Sequence, residues 1–193
     1  MNKILLKTKR LVLRDLVADD AKSIAENAND RDIWYFTAEI PYPYKLKDAK
    51  WFINKCQKDA KQKPRKNYEL GITLKSEKRV IGIIGLIKVN REHKKVVIGY
   101  WLGKKYWRRG IMTESEKAVL NFAFNKLKIN KISGEALIEN KASNILFKKF
   151  GFRRVGILKE ELVKNGKKVD MYRYELLKKQ HRFKKYEKNT ERD

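Results

Sequence analysis

The sequence predicts an α+β domain: a mixed, mostly antiparallel sheet of about seven strands flanked by about four helices. Three observations predict it. Residues 68–74, 80–89 and 95–102 are successive strand-like runs joined by short polar connections, as in an antiparallel meander. Residues 47–61 and 113–127 carry apolar side chains at helical spacing. Two further runs, 152–158 and 169–177, flank Asn165-Gly166, a hairpin dipeptide.

The elements follow in order. Lys9 to Asp15 alternates and reads as a first strand, and Asp19 or Asp20 caps a helix carrying Ala21, Ile24, Ala25 and Ala28. Trp34 to Tyr44 reads as an aromatic loop, because Pro41 and Pro43 exclude helix there. Its aromatics suit either a pocket wall or the edge of the core. The helix at 47–61 presents Ala49, Phe52, Ile53, Cys56 and Ala60, and residues 62–66 form a basic linker. In the meander, 68–74 alternates with Glu69 on one face, whereas 80–89 is almost wholly apolar and so expected to be central. After residues 95–102 comes the helix 113–127, with a stripe of Ala118, Val119, Phe122, Ala123 and Leu127. Lys131 to Ile138 is a strand, Asn140 caps the next helix, and Gly151 stops it. A single domain over 1–178 is expected, with 179–193 as a charged, frayed tail.

Totals narrow the function classes. The 193 residues carry 48 Lys and Arg against 23 Asp and Glu, a formal charge of +25, so the surface attracts polyanions such as RNA or ribosomes. The lysines are spread along the chain, which equally fits an ordinary solvated surface. The single cysteine, Cys56, allows no intrachain disulfide. His93 and His181 stand apart from it, so no metal constellation is expected. The start, MNKILLKTKR, lacks a leader pattern, and no run approaches the ~20 apolar residues of a membrane span. The cytoplasm is the expected location.

The chemistry concentrates at Lys95 to Asn121, KVVIGYWLGKKYWRRGIMTESEKAVLN. A strand runs into a glycine-containing loop and then a helix. Such a helix start has free N–H groups and a positive dipole end, and Arg108 and Arg109 add charge. A phosphate or pyrophosphate fits there; so does a plain turn with solvated arginines. The stretch is neither a dinucleotide fingerprint nor a P-loop, since the spaced glycines and the Gly-Lys-Ser/Thr ending are absent.

RLVLRDLVADDAKSI, IPYPYKLKDAKWF, IGYWLGKKYWRRGIMTES and NKASNILFKKFGFRRVG occur in that order. Together they resemble the GNAT superfamily of N-acetyltransferases, specifically its RimJ/RimL-like branch, over about residues 8–178. The resemblance implies the GNAT fold and acetyl-coenzyme A as co-substrate, with no metal. It implies that the pantetheine arm pairs with the strand backbone at Tyr100, Trp101 and Leu102. It places the pyrophosphate on the loop and helix start at Arg108, Arg109, Gly110, Ile111, Met112 and Thr113. Asn140 and Asn144 match the polar residues beside the pantetheine. Trp107, Gly110 and Met112 occupy the Gln/Arg-x-x-Gly-x-Gly/Ala positions, a departure at the first and last that backbone binding tolerates.

The implied reaction is direct acyl transfer in a ternary complex: a neutral amine attacks the thioester and a thiolate leaves. The family's usual acid, a tyrosine, is replaced by Phe147. Ser143 is then the candidate acid, or merely a capping hydroxyl. Glu135 is the candidate base and Glu69 a second, each equally readable as a surface carboxylate. Trp34, Tyr35 and Glu69 are the candidate acceptor contacts. Three functions compete: acetylation of a protein N-terminus of ribosomal type, acetylation of a small amine such as a polyamine or aminoglycoside, and non-catalytic RNA or ribosome binding through the basic surface. No membrane partner is expected, and the chain is expected to be a monomer or homodimer.

Overall fold

A computed structural model of the protein describes residues 4–181. Eight strands form one sheet: β1 (Leu5–Lys7), β2 (Leu11–Arg14), β3 (Tyr68–Leu74), β4 (Val80–Asn90), β5 (Lys95–Leu102), β6 (Lys131–Leu137), β7 (Arg153–Lys164) and β8 (Lys167–Leu177). Their spatial order is β1-β2-β3-β4-β5-β6-β8-β7. Only the β5–β6 pair is parallel. The helices are α1 (Ala21–Ala28), α2 (Arg31–Phe36), α3 (Leu46–Lys61), α4 (Ile111–Asn121) and α5 (Lys141–Lys149). The mostly antiparallel sheet agrees with the sequence, with one strand and one helix more than expected.

The strand period sorts side chains to the two faces. On one face, Val80 and Ile83 of β4 pack with Ile24 of α1 and with Ala49, Ile53 and Cys56 of α3. On the other, Ile84, Leu86 and Ile98 pack with Val119, Leu120 and Ala123 of the α4 region and with Phe147 of α5. The near-continuous apolar run of β4 is therefore covered on both sides, as its composition requires.

Several expectations need correction. β1 was not foreseen; three residues are too few to show alternation, and pairing with β2 defines it. Residues 31–36 form α2, so the loop expected over Trp34 to Tyr44 starts as helix: Asp30 Oδ1 accepts from Asp32 N at 2.8 Å, a helix-starting cap that the later prolines do not disturb. The helix expected from Thr113 begins at Ile111 and passes at Phe122–Lys126 into one π turn. Its buried face includes Ser115, Glu116 and Leu120, and Ala118 and Leu127 are only half-buried. The strand expected over 152–158 runs from Arg153 to Lys164. Of the expected tail, Lys179 and Gln180 join Lys178 in a short 3-10 turn, and residues 182–193 lie outside the described residues.

Candidate active site

The site arises where the sheet splits. β5 and β6 pair only through Lys95–Lys131, Val96–Ile132 and Val97–Ser133. Beyond that point the strands diverge, and the β5 edge from Ile98 to Trp101 has no strand neighbour on the β6 side. One reason is packing in the fork. A Cβ at Gly134 would stand 2.7 Å from the Phe147 ring, so glycine lets that ring wedge in against Ile98. The fork opens into a cleft of about 510 Å³.

Ile98 to Leu102 and Glu135 to Ala136 line its two sides. Arg108, Gly110 to Thr113 and Asn140 to Ser143 also line it. Unpaired strand edge, glycine loop and helix start thus face a single space.

The loop geometry suits an anion. Gly110 sits at φ +70°, in the left-handed region, and turns the chain into α4. No side chain caps α4, so the first-turn N–H groups of Ile111, Met112 and Thr113 have no acceptor within the helix. Glu114 pins this turn to the β1–β2 loop: Thr8 Oγ1 donates to its Oε1 at 2.6 Å and Arg10 Nε to its Oε2 at 2.7 Å. Burial opposes ionisation of that carboxyl, but the hydrogen bonds from Thr8 and Arg10 outweigh it and hold the group below the usual carboxylate range. Trp107 Nε1 donates to the Leu102 carbonyl at 2.6 Å and fixes the loop to the end of β5.

The cleft therefore gathers Tyr100, Trp101, Leu102, Arg108, Gly110, Ile111, Met112, Thr113, Glu135, Asn140 and Ser143. Asn140 Oδ1 accepts from Ser143 N at 3.1 Å, the expected cap, and its amide nitrogen remains for another partner. Glu135 is exposed, with Arg173 Nη1 at 3.7 Å.

Five candidates lie elsewhere. Arg109 is outside the lining; its carbonyl accepts from Arg10 Nη1 at 3.0 Å and its guanidinium stacks 6.0 Å above Tyr106. Asn144 is fully used in holding the β6–α5 turn: its amide donates to the Leu137 and Ile138 carbonyls, and its Oδ1 accepts from Tyr174 Oη at 3.0 Å. Trp34 is outside the lining and lies under Lys164, whose Nζ donates to the Trp34 and Thr37 carbonyls at 2.7 Å. Tyr35 donates to Glu139 Oε2 at 2.7 Å and so straps α2 to the β6–α5 loop. Glu69 shares a sheet row with Gly85 and Gly99, two strands and about 10 Å from the β5 edge. Lys55 Nζ holds its carboxylate at 3.0 Å, and the Cys56 thiol donates to it at 3.6 Å. Burial pushes that thiol up, out of the nucleophile range.

Sequence reasoning missed Ile33, Phe36, Thr37 and Glu139 in the cleft lining. Ile33 and Phe36 belong to α2 and Thr37 follows its last residue, and the signal that could have found them was Asp30 as a cap.

An acetyltransferase (GNAT) domain model matches residues 10–153. The chain is 29% identical over 176 residues to an uncharacterised N-acetyltransferase, YoaA, of Bacillus subtilis, covering 90% of this chain and 97% of that one. It is 26% identical to the [ribosomal protein uS5]-alanine N-acetyltransferase of Escherichia coli, covering 85% of this chain and 86% of that one. It is also 26% identical to the spermidine N(1)-acetyltransferase of Vibrio cholerae, covering 87% of this chain and 93% of that one. The structure of spermidine N-acetyltransferase from Vibrio cholerae with CoA and spermine superposes with a TM-score of 0.77 at 23% identity, over 90% of this chain and 99% of that one. Among the described residues there is no metal-binding cluster, and no helix is long and apolar enough to cross a membrane. The chain belongs to the GNAT acetyltransferase family, with the RimJ-like enzymes among its relatives, and is an acetyl-coenzyme A-dependent N-acetyltransferase.

Proposed function

We propose that the acceptor is the N-terminal α-amine of a protein, of the ribosomal-protein type. The observation that carries this reading is the charge of the cleft. Its lining holds two basic side chains, Arg108 and Lys141, and two acidic ones, Glu135 and Glu139. The sum is zero, and both carboxylates already have partners in Arg173 and Tyr35. A polycation needs a net negative cleft, all the more on a chain of charge +25.

The base chemistry points the same way. An α-amine has a pKa of roughly 7.7–8.0, so about a tenth of it is neutral at pH 7; an alkyl amine near 10.4 is neutral in well under a thousandth. Glu135, exposed beside a guanidinium, is suited to passing a proton to water rather than to stripping a strongly basic ammonium. In the proposed arrangement the β5 edge at Tyr100 to Leu102 holds the pantetheine arm, the Arg108–Thr113 turn holds the pyrophosphate, and Asn140 orients the thioester. Ser143 hydrogen-bonds the sulfur as it departs. The relative that acetylates spermidine supports a small-amine alternative.

The two separate by experiment. With acetyl-coenzyme A, peptides with free N-termini and spermidine are compared by kcat/KM, and products are located by mass. The expected result is a preference for peptides of at least ~10-fold. A preference for spermidine would replace this reading with the alternative.

A further inference from the structure

The edge strand of the sheet ends in a lysine that solvent barely reaches. Lys164, the last residue of β7, is 4% exposed. Lysines are almost never this buried unless paired. Burial draws its ammonium down in pKa, and no charged neighbour among the described residues counters that.

Its partners are backbone. Lys164 Nζ donates to the Trp34 and Thr37 carbonyls, each at 2.7 Å, and stands 4.7 Å from the centre of the Trp34 ring. These carbonyls belong to the last turn of α2 and to the residue that follows it. A helix end has acceptors without intrahelical donors there, and the negative end of its dipole. Lys164 is thus a helix cap supplied from 127 and 130 positions along the chain.

The hairpin also holds the other end of α2. Arg31 Nη2 donates to Asn165 Oδ1 at 3.4 Å. Lys164 pairs with Lys167 across the turn, and Asn165 and Gly166 take φ values of +50° and +72°. Two successive left-handed residues make the tight turn that matches strand twist. The Asn165-Gly166 dipeptide therefore fixes where Lys164 starts, and Lys164 fixes where α2 ends.

α2 needs such a hold. Its six residues are far fewer than the ~12–15 at which an isolated helix becomes marginally stable. Yet Ile33 and Phe36 of α2, and Thr37 just beyond, line the cleft. Tyr35 between them donates to Glu139 Oε2 at 2.7 Å, so α2 also meets the side of the cleft that carries Glu139. With the β5 edge and the α4 start given to the acyl carrier, α2 and the side carrying Glu135 and Glu139 remain for the amine.

We propose that Lys164 is a positioning residue for the acceptor: through the Trp34 and Thr37 carbonyls it fixes the α2 wall against which the amine substrate lies. It sets acceptor affinity without touching either substrate, since Lys164 itself is outside the cleft lining. The proposal rests on the acyl carrier lying along β5; it is indifferent to which amine accepts.

The test is two-substrate kinetics of the full chain, wild type against K164M and K164Q, with whichever acceptor the wild type acetylates best. Melting and coenzyme A titration are followed in parallel. K164M keeps an unbranched stem and loses the donor and the charge. It should lose at least ~10-fold in kcat/KM for the acceptor, chiefly through KM, with coenzyme A affinity within about threefold of wild type. K164Q keeps a donor without the charge and should lose less than K164M but still measurably. Acceptor kcat/KM equal to wild type in folded K164M would overturn the proposal. So would a coenzyme A affinity that falls in step with it, which general loss of structure would give. Should K164M not fold, K164Q decides by the same two readouts. Coenzyme A that protects neither β5 nor the α4 start from amide exchange would instead overturn the placement of the carrier, and with it the assignment of α2 to the acceptor.

Discussion

Gly110→Pro will bind coenzyme A at least ~100-fold more weakly than the wild-type chain. Gly110 holds φ at +70°, and proline is locked near −65°. The turn cannot survive, and the first-turn N–H groups of Ile111, Met112 and Thr113 lose their common aim. A misfit of about 3 kcal/mol or more, taken out of binding, corresponds to that factor. Gly110→Ala grades the effect. Its Cβ would meet only Arg10 Nη2, at 3.6 Å, so space is not the obstacle. The left-handed backbone alone costs an L-residue about 1–2 kcal/mol, which predicts a weakening of roughly tenfold. Isothermal titration checks both. Wild-type affinity in Gly110→Pro would remove the loop from the binding site.

Glu116 makes the stability of the protein fall with pH. Its carboxyl titrates at about 8 in the folded chain, against an ordinary 4.5. Between those values the folded state holds a proton that the unfolded state has released, so folding takes up a proton and weakens as pH rises. The Glu116 contribution is fully present below about 4.5, is lost progressively up to about 8, and is flat above that. For a side chain that is 0% exposed, the span is on the order of several kcal/mol. In melting temperature that is roughly 10 °C for a chain of this size. Comparing the wild type with E116Q across this window cancels every other titration. The difference should shrink or reverse as pH rises, and a difference independent of pH would mean that Glu116 is ionised throughout or reaches water.

Much of this was legible in the sequence because local chemistry and tertiary demand agreed. Val80 to Asn90 is apolar on both faces and is a central strand. Asn140 looked like a cap and is one, and Gly110 stood where a turn was needed. The misreadings have specific causes. α2 was hidden because Pro41 and Pro43 dominated a stretch whose start, at Asp30, obeys ordinary capping. Asn144 and Glu69 were placed at the cleft by their position in the chain. Their actual partners, the Leu137 and Ile138 carbonyls and Lys55, come from other elements that no local pattern names.

Glu116 shows the limit best. It lies in the polar-looking run Thr113 to Lys117, yet its spacing to Leu120 and Ala123 puts it on the buried face. Periodicity carried that information, but residue type argued against it, because carboxylates are almost never fully buried. A residue where pattern and chemistry conflict is where function or strain is expected.

Coenzyme A binding in the β5–β6 fork underlies every role assigned to the cleft. Amide hydrogen exchange with and without coenzyme A tests this directly. Slowed exchange is expected at Ile98 to Leu102, along the unpaired β5 edge, and at Arg108 to Thr113, with the β1–β2 loop and the β7–β8 hairpin unchanged. Protection confined to other elements, or none at saturating coenzyme A, would contradict it.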